Sequence, residues 1–262
     1  MANTRDLRDP AQSRAMALAR KGKTLTAAQE EEVAKDPLAA AYYAKAVLKK
    51  RWPRAEAVIA SDGDAAFGYA MHFKKPFPEA EALFALDAYT ALAYARQVLR
   101  GPFVAGEAAM ASDEETAFDY AACVLKGPFA AGEKIIASDA YTAYDYARQV
   151  LKGPFPAGEK TIVITDPGLA LDYAKYVLKG PFKVAEAVFA KDAYLALRYA
   201  KTILKGPFVK GEKAIANDFE AALDYAKNVL NGHFPALEKN LLAWAVPEFA
   251  AAYVKLMRKL DK

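Results

Sequence analysis

One short text recurs eight times in this chain: an Asp, an Ala four residues on, a Tyr seven on and an Ala eight on. The Asp positions are Asp36, Asp62, Asp87, Asp113, Asp139, Asp166, Asp192 and Asp218, and the matching Tyr are Tyr43, Tyr69, Tyr94, Tyr120, Tyr146, Tyr173, Tyr199 and Tyr225. Successive copies are 26, 25, 26, 26, 27, 26 and 26 residues apart. A period of roughly 20–50 residues marks a supersecondary unit too small to bury its apolar face alone, so copies must stack on one another. That constraint fixes the architecture ahead of any other argument. It names no reaction and no ligand.

Within residues 153–179, two kinds of punctuation separate two helical segments. Gly153-Pro154 ends one helix, because Gly suits the left-handed position after a helix and Pro cannot continue it. The break repeats as Gly101-Pro102, Gly127-Pro128, Gly180-Pro181 and Gly206-Pro207, and is degraded to Lys75-Pro76 and Gly232-His233. The Asp is the second signal, an N-cap whose carboxylate accepts free backbone N–H groups; Asp36-Pro37 and Asp166-Pro167 add Pro at the first helical position. Each unit therefore reads as a first helix of about ten residues and a second of about thirteen, lengths that are marginal in isolation.

Counting from the Asp, positions +4, +5, +8, +11 and +12 of the second helix form one apolar stripe, as in Ala196, Leu197, Ala200, Ile203 and Leu204. Ala at +4 in all eight copies predicts a close approach of helices there. The Phe after the break (Phe103, Phe129, Phe155, Phe182, Phe208 and Phe234, with Trp52 and Phe77 as equivalents) predicts a plug between units. Asp9-Pro10 with Met16 and Ala17 reads as a degenerate copy at one end. Val246, Ala250 and Tyr253 read as another at the opposite end, made polar by Lys255, Arg258, Lys259 and Lys262. The expected fold is an all-α solenoid, read as right-handed, of about nine stacked two-helix repeats with degenerate capping units. A capping helix in 1–22, repeats over 23–245 and a second capping helix in 246–262 make one continuous array.

The unit Asp-x-x-x-Ala-x-x-Tyr-Ala-x-x-Val-Leu-Lys-Gly-Pro-Phe-x-x-Gly-Glu resembles a tandem α-helical repeat that recurs in proteins of tailed bacteriophages. There the linker commonly reads Gly-Arg-Trp-Pro-Glu-Ala-Glu. Residues 51–56 (Arg51-Trp52-Pro53-Arg54-Ala55-Glu56) and 76–81 (Pro76-Phe77-Pro78-Glu79-Ala80-Glu81) sit closest to that form, and the later units depart from it. The resemblance covers about residues 9–262. It implies a viral, intracellular protein and supplies no catalytic residue.

Composition narrows the function classes. Net charge is only +4, short of the strongly cationic balance that would by itself indicate DNA or a membrane surface. The single Cys123 excludes an intramolecular disulfide and fits a reducing compartment. The first residues lack the apolar core of a signal peptide, and no stretch nears 18 apolar residues, so a cytoplasmic location and no membrane partner are expected.

The candidate sites are rows rather than clusters. The eight Tyr at +7 are read as rungs of inter-unit packing, with an aromatic platform for bases or a peptide as the other reading. Glu56, Glu81, Glu107, Glu133, Glu159, Glu186, Glu212 and Glu238 fall in the first turn of the first helix, where a carboxylate favours the dipole and bonds free N–H groups. Position +9 carries Lys45, Arg96, Arg148, Lys175, Lys201 and Lys227, and the helix-ending position carries Lys49, Lys74, Arg100, Lys126, Lys152, Lys179 and Lys205. These form two basic tracks suited to an acidic protein partner or a phosphate backbone. Asp119, Asp145, Asp172 and Asp224 at +6 partly cancel the +9 charges three residues on, and cations also suit the last turn of a helix. Tyr89, Tyr141, Tyr194, Tyr176 and Arg198 depart from the common text, and binding is expected where units deviate.

No metal, cofactor or catalytic centre is expected. His72 and His233 stand in distant units without metal-spaced companions, Cys123 reads as an inert thiol, and no phosphate-cradling glycine loop exists. The sequence thus points to a non-enzymatic scaffold that binds a protein partner, a host factor in a phage setting. A nucleic-acid binder and a structural virion component are the alternatives.

Overall fold

Each Asp of the recurrent text opens a helix as its short acidic side chain dictates. The computed structural model describes residues 10–21, 25–244 and 246–260. In it the Asp36 carboxylate accepts the Ala39 N–H at 2.6 Å, and those of Asp62, Asp87, Asp113, Asp139, Asp192 and Asp218 accept the N–H three residues on at 2.8 Å. Asp166 takes two, from Gly168 at 2.8 Å and Leu169 at 3.1 Å. Each such cap is worth about 1 kcal/mol. The described residues form helices and turns with no strand among them, an all-α fold of the helical-repeat, solenoid type.

The chain divides into two compact units, Met1–Ile135 and Ile136–Lys262, built the same way. In the first unit the second helices of the repeats are Pro37–Tyr43 with Ala44–Leu48, Gly63–Phe73, Ala88–Tyr94 with Ala95–Leu99, and Glu114–Asp119 with Tyr120–Leu125. Each packs on the next. In the second unit the series is Ala140–Asp145 with Tyr146–Leu151, Pro167–Tyr173 with Ala174–Leu178, Ala193–Tyr199 with Ala200–Leu204, and Phe219–Tyr225 with Ala226–Leu230. Pro247–Leu260 closes that series, burying Tyr253 and Met257, with Lys255, Arg258 and Lys259 exposed. In the first unit Pro10–Arg20 packs on Pro37–Tyr43, with Ala15, Leu18 and Ala19 buried. Asp9 and Lys262, read above as parts of the capping units, lie outside the described residues.

Most second helices finish in a π-helical turn, and this detail explains the irregular spacing. In the repeat of Asp87 the N–H of Arg100 and that of Gly101 both return to the carbonyl of Ala95, the latter at 3.2 Å. The Asp62 repeat has no π turn: its helix stays α-helical and the Lys74 N–H bonds Ala70 O at 2.8 Å. A π turn accommodates one residue more than an α turn, and the Asp62 repeat is the one followed by the 25-residue spacing. The 27-residue spacing has a separate origin. Its extra residue lies in the first helix Pro156–Thr165, which runs unbroken for ten residues.

Two expectations are corrected here. The first helix is shorter than ten residues in most repeats, as in the 3-10 turn Val104–Gly106 followed by Glu107–Met110, because the chain turns at Ala111 and Ser112 to reach the next cap. Only Pro156–Thr165 and Pro235–Trp244 reach ten. The left-handed residue after the second helix is also not the Gly. It is the residue before it: Lys49, Lys74, Arg100, Lys126, Lys152, Lys179, Lys205 and Asn231 all have φ between 48° and 54°. Gly101 has no such φ, and a Cβ there would meet nothing nearer than Leu99 O at 4.0 Å.

A different glycine is sterically required. A Cβ on Gly106 would stand 2.6 Å from Ala91 Cβ and 2.7 Å from Phe103 Cδ1, and Gly158 meets Ala143 Cβ at 2.6 Å. This is the close approach expected from Ala at +4: in the repeats with Gly106, Gly132, Gly158 and Gly211 the start of the first helix presses on that Ala of the preceding second helix. Ala143→Leu should therefore overpack the contact and lower stability by about 1–3 kcal/mol, read from the urea midpoint. An unchanged midpoint would show that the contact is loose.

Candidate functional site

The eight recurrent Tyr are fully buried, and their hydroxyls do structural work. Tyr94 Oη donates to Glu81 Oε1 at 2.8 Å and accepts the Phe77 N–H at 2.8 Å. Tyr120 repeats this with Glu107 and Phe103, Tyr199 with Glu186 and Phe182, and Tyr225 with Glu212 and Phe208, all within 2.9–3.2 Å. Tyr69 binds Glu56 and the Trp52 N–H, and Tyr173 binds Glu159 and the Phe155 N–H. Each linker aromatic turns its ring the other way, onto the Tyr of the preceding repeat: Phe103 lies 5.2 Å from Tyr94 and Phe208 lies 5.0 Å from Tyr199. One linker residue thus joins two repeats, by its ring to one and by its N–H to the next.

The Glu row is thereby reassigned. Its carboxylates accept from the Tyr hydroxyl rather than from free N–H groups of their own helix, because the phenol has taken the linker N–H. Two further members extend the row. Tyr43 Oη donates to Glu30 at 3.1 Å, and Tyr253 donates to Glu238 at 2.7 Å while accepting the Phe234 N–H at 2.8 Å. Glu30 is detectable in the sequence only by its distance of 13 residues from Tyr43, because no linker Phe precedes it. Neither row is left free to bind a ligand. His72 lies edge-on to Phe73, and His233 Nδ1 is 2.7 Å from Glu238 Oε1. Among the described residues no three His, Cys, Asp or Glu converge as a metal site.

The basic positions are at the surface. Arg96, Arg100, Lys126, Arg148, Lys152, Lys175, Lys179, Arg198, Lys201, Lys205 and Lys227 are all exposed, as is Tyr176. The two tracks differ in chemistry. At +9 two of the cations pair between repeats: Arg96 Nη1 is 3.3 Å from Asp119 Oδ2 and Lys201 Nζ is 2.8 Å from Asp224 Oδ2. The pairing runs to the +6 Asp of the next repeat, 23 residues on; the residues three earlier on their own helices are Ala93 and Arg198. Arg148 lies 5.6 Å over the ring of Tyr176, and Lys175 lies 4.8 Å over it, so that exposed ring already carries two cations.

The second track is the left-handed row at the helix ends. Among the described residues none of Lys49, Lys74, Arg100, Lys126, Lys152, Lys179 or Lys205 has a carboxylate within ion-pair distance. Two surface cavities open between successive ends. One, of about 370 Å³, is lined by Arg96, Arg100, Lys126 and Cys123; the other, of about 440 Å³, by Lys175, Lys179, Thr202 and Lys205. No carboxylate lines either. Tyr89, Tyr141 and Tyr194 are each more than half exposed but sit at the opposite end of their helices, where Tyr141 Oη donates to the next cap, Asp166, at 3.0 Å.

No protein-family model, curated protein or solved structure matches the chain. No helix among the described residues is long and apolar enough to cross a membrane.

The phenols of Tyr69, Tyr120, Tyr199 and Tyr253 are pushed from 10.0 up to about 12, chiefly by burial and further by their Glu partners, with the linker N–H pulling the other way. A raised folded pKa means that the protonated form stabilises the fold. That contribution is complete below about pH 10 and is lost as pH rises toward 12. Helical circular dichroism should hold to about pH 10 and then collapse cooperatively, together with the phenolate absorbance of the buried Tyr. Buried phenolate forming while helicity persists would show that these hydroxyls do not anchor the repeats.

Proposed function

We propose that the protein is a non-enzymatic scaffold that binds an acidic protein partner along the row of cations at the ends of its second helices. The observation that carries this reading is the backbone conformation of that row. A left-handed residue other than Gly costs about 1–2 kcal/mol, and Gly or Asn is the usual occupant. A cation at a helix C-terminus gains only about 0.3–1 kcal/mol from the dipole. Seven of eight repeats nevertheless hold Lys or Arg there, exposed, and the eighth holds Asn231. Stability alone does not select that pattern; a role for the charges does.

The buried Tyr and Glu rows support a scaffold rather than an enzyme, because each unit repeats the same bonded groups and no singular reactive cluster stands apart from them. The resemblance of the unit to repeats of tailed-phage proteins supports a host protein as the partner and the host cytosol as the place of action. Nucleic acid is the second reading, favoured by the same cation row. Against it stand the carboxylates already interleaved at +6 and the occupation of Tyr176 by Arg148 and Lys175.

Lys152→Asn, Lys179→Asn and Lys205→Asn combined remove three charges while keeping a residue that Asn231 shows to suit this backbone. The triple variant should keep its helicity and thermal midpoint and lose binding of a poly-glutamate probe in fluorescence anisotropy. Unchanged probe binding would refute the row as the binding surface. A steep loss of oligonucleotide binding with salt, in a protein that ignores poly-glutamate, would establish the second reading.

A further inference from the structure

The contact between +9 of one repeat and +6 of the next recurs with different residues. Arg96 meets Asp119 and Lys201 meets Asp224, each 23 residues on. Lys45 follows the same geometry against Gly68, its ammonium 3.3 Å from where a Cβ there would stand. At one junction the sign breaks. The residue 23 positions after Lys175 is Arg198, where other repeats place Asp119, Asp145, Asp172 and Asp224. Lys175 lies in the turn Ala174–Leu178 and Arg198 in the helix Ala193–Tyr199; the two second helices pack on each other, Pro167–Tyr173 against Ala193–Tyr199 and Ala174–Leu178 against Ala200–Leu204. Lys175 and Arg198 are both exposed.

Two cavities meet at this junction through Thr202, which lines both. The first is the 440 Å³ cavity with Lys175, Lys179 and Lys205; the second, of about 380 Å³, holds Arg198, Lys201, Glu220 and Asp224. Five cations therefore face two carboxylates, and Asp224 is already bonded to Lys201 at 2.8 Å.

We propose that the Lys175–Arg198 junction is the specificity-determining anchor for the acidic partner. A carboxylate of the partner segment enters where Asp stands in the other repeats and bridges the two cations. This rests on the acidic-partner reading above and narrows it to one junction. The chemistry is that of carboxylate recognition, because the equivalent cations Arg96 and Lys201 hold carboxylates of the chain itself. Binding brings a counter-charge to the junction, drawing Lys175 from the Tyr176 ring, and forms charge-assisted hydrogen bonds, which strengthens discrimination as well as attraction.

The test is fluorescence anisotropy of a labelled oligo-aspartate peptide on the full chain. Arg198→Asp recreates the pairing of the sibling junctions, so it should keep helicity and thermal midpoint while weakening the peptide about tenfold. Asp119→Arg copies the sign break opposite Arg96 and should tighten the peptide several-fold. Those two results together support the anchor. Wild-type affinity in Arg198→Asp, with binding lost in the triple Asn variant, would overturn the anchor and leave the general reading standing. Wild-type affinity in both would overturn both. An oligothymidylate of equal charge that displaces the peptide would overturn the choice of carboxylate.

Discussion

A buried phenol hydroxyl has to give one hydrogen bond and take another, and the rest of this fold is arranged around meeting that demand. The donor side is met by a Glu 13 residues earlier in most repeats, and the acceptor side by the N–H of a linker aromatic 17 residues earlier. The linker N–H is otherwise a free group at the start of a first helix, and leaving it buried and unpaired would cost about 1–3 kcal/mol. One oxygen therefore ties the beginning of a first helix to the middle of the second helix that follows. The linker ring, packed on the previous Tyr, passes the constraint to the neighbouring repeat. Among the described residues no buried side-chain nitrogen or oxygen is left without a partner.

The relay tolerates length changes only where it can absorb them. In the repeat with the extra first-helix residue, Tyr173 still reaches Glu159 and the Phe155 N–H, at separations of 14 and 18 in place of the usual 13 and 17. In the Asp62 repeat the missing residue comes out of the π turn beyond Tyr69, so Glu56, Tyr69 and Trp52 keep the common separations. The π turn and its left-handed exit thus form an adjustable end to an otherwise fixed unit. That end also displays the row of cations that, among the described residues, have no carboxylate within ion-pair distance.

Much of this was legible in the sequence. The Asp caps, the buried Tyr, the Phe between repeats and the tight Ala at +4 each follow from a residue type whose physical requirement is local and strong. The candidate site was legible in identity but not in arrangement. Lys and Arg at the helix ends were visible as a row, yet their left-handed backbone was assigned to the following Gly, because propensity favours Gly there and nothing in a single unit signals a π turn. Local spacing pairs a +6 Asp with a cation three residues on along its own helix, but Arg96 and Lys201 have Ala93 and Arg198 at that distance, and their partners Asp119 and Asp224 depend on how repeats stack. The Glu row was assigned to its own helix for the same reason.

The central claim is that the Tyr hydroxyl holds the linker N–H, and amide hydrogen exchange measures this directly. The amides of Phe155, Phe182 and Phe208 lie outside the helices but bond Tyr173, Tyr199 and Tyr225 at 2.6–2.9 Å. They should exchange as slowly as amides in the middle of the second helices, such as that of Leu197, and together with them. Exchange as fast as that of the exposed linker residues Val184 and Val209 would contradict the account.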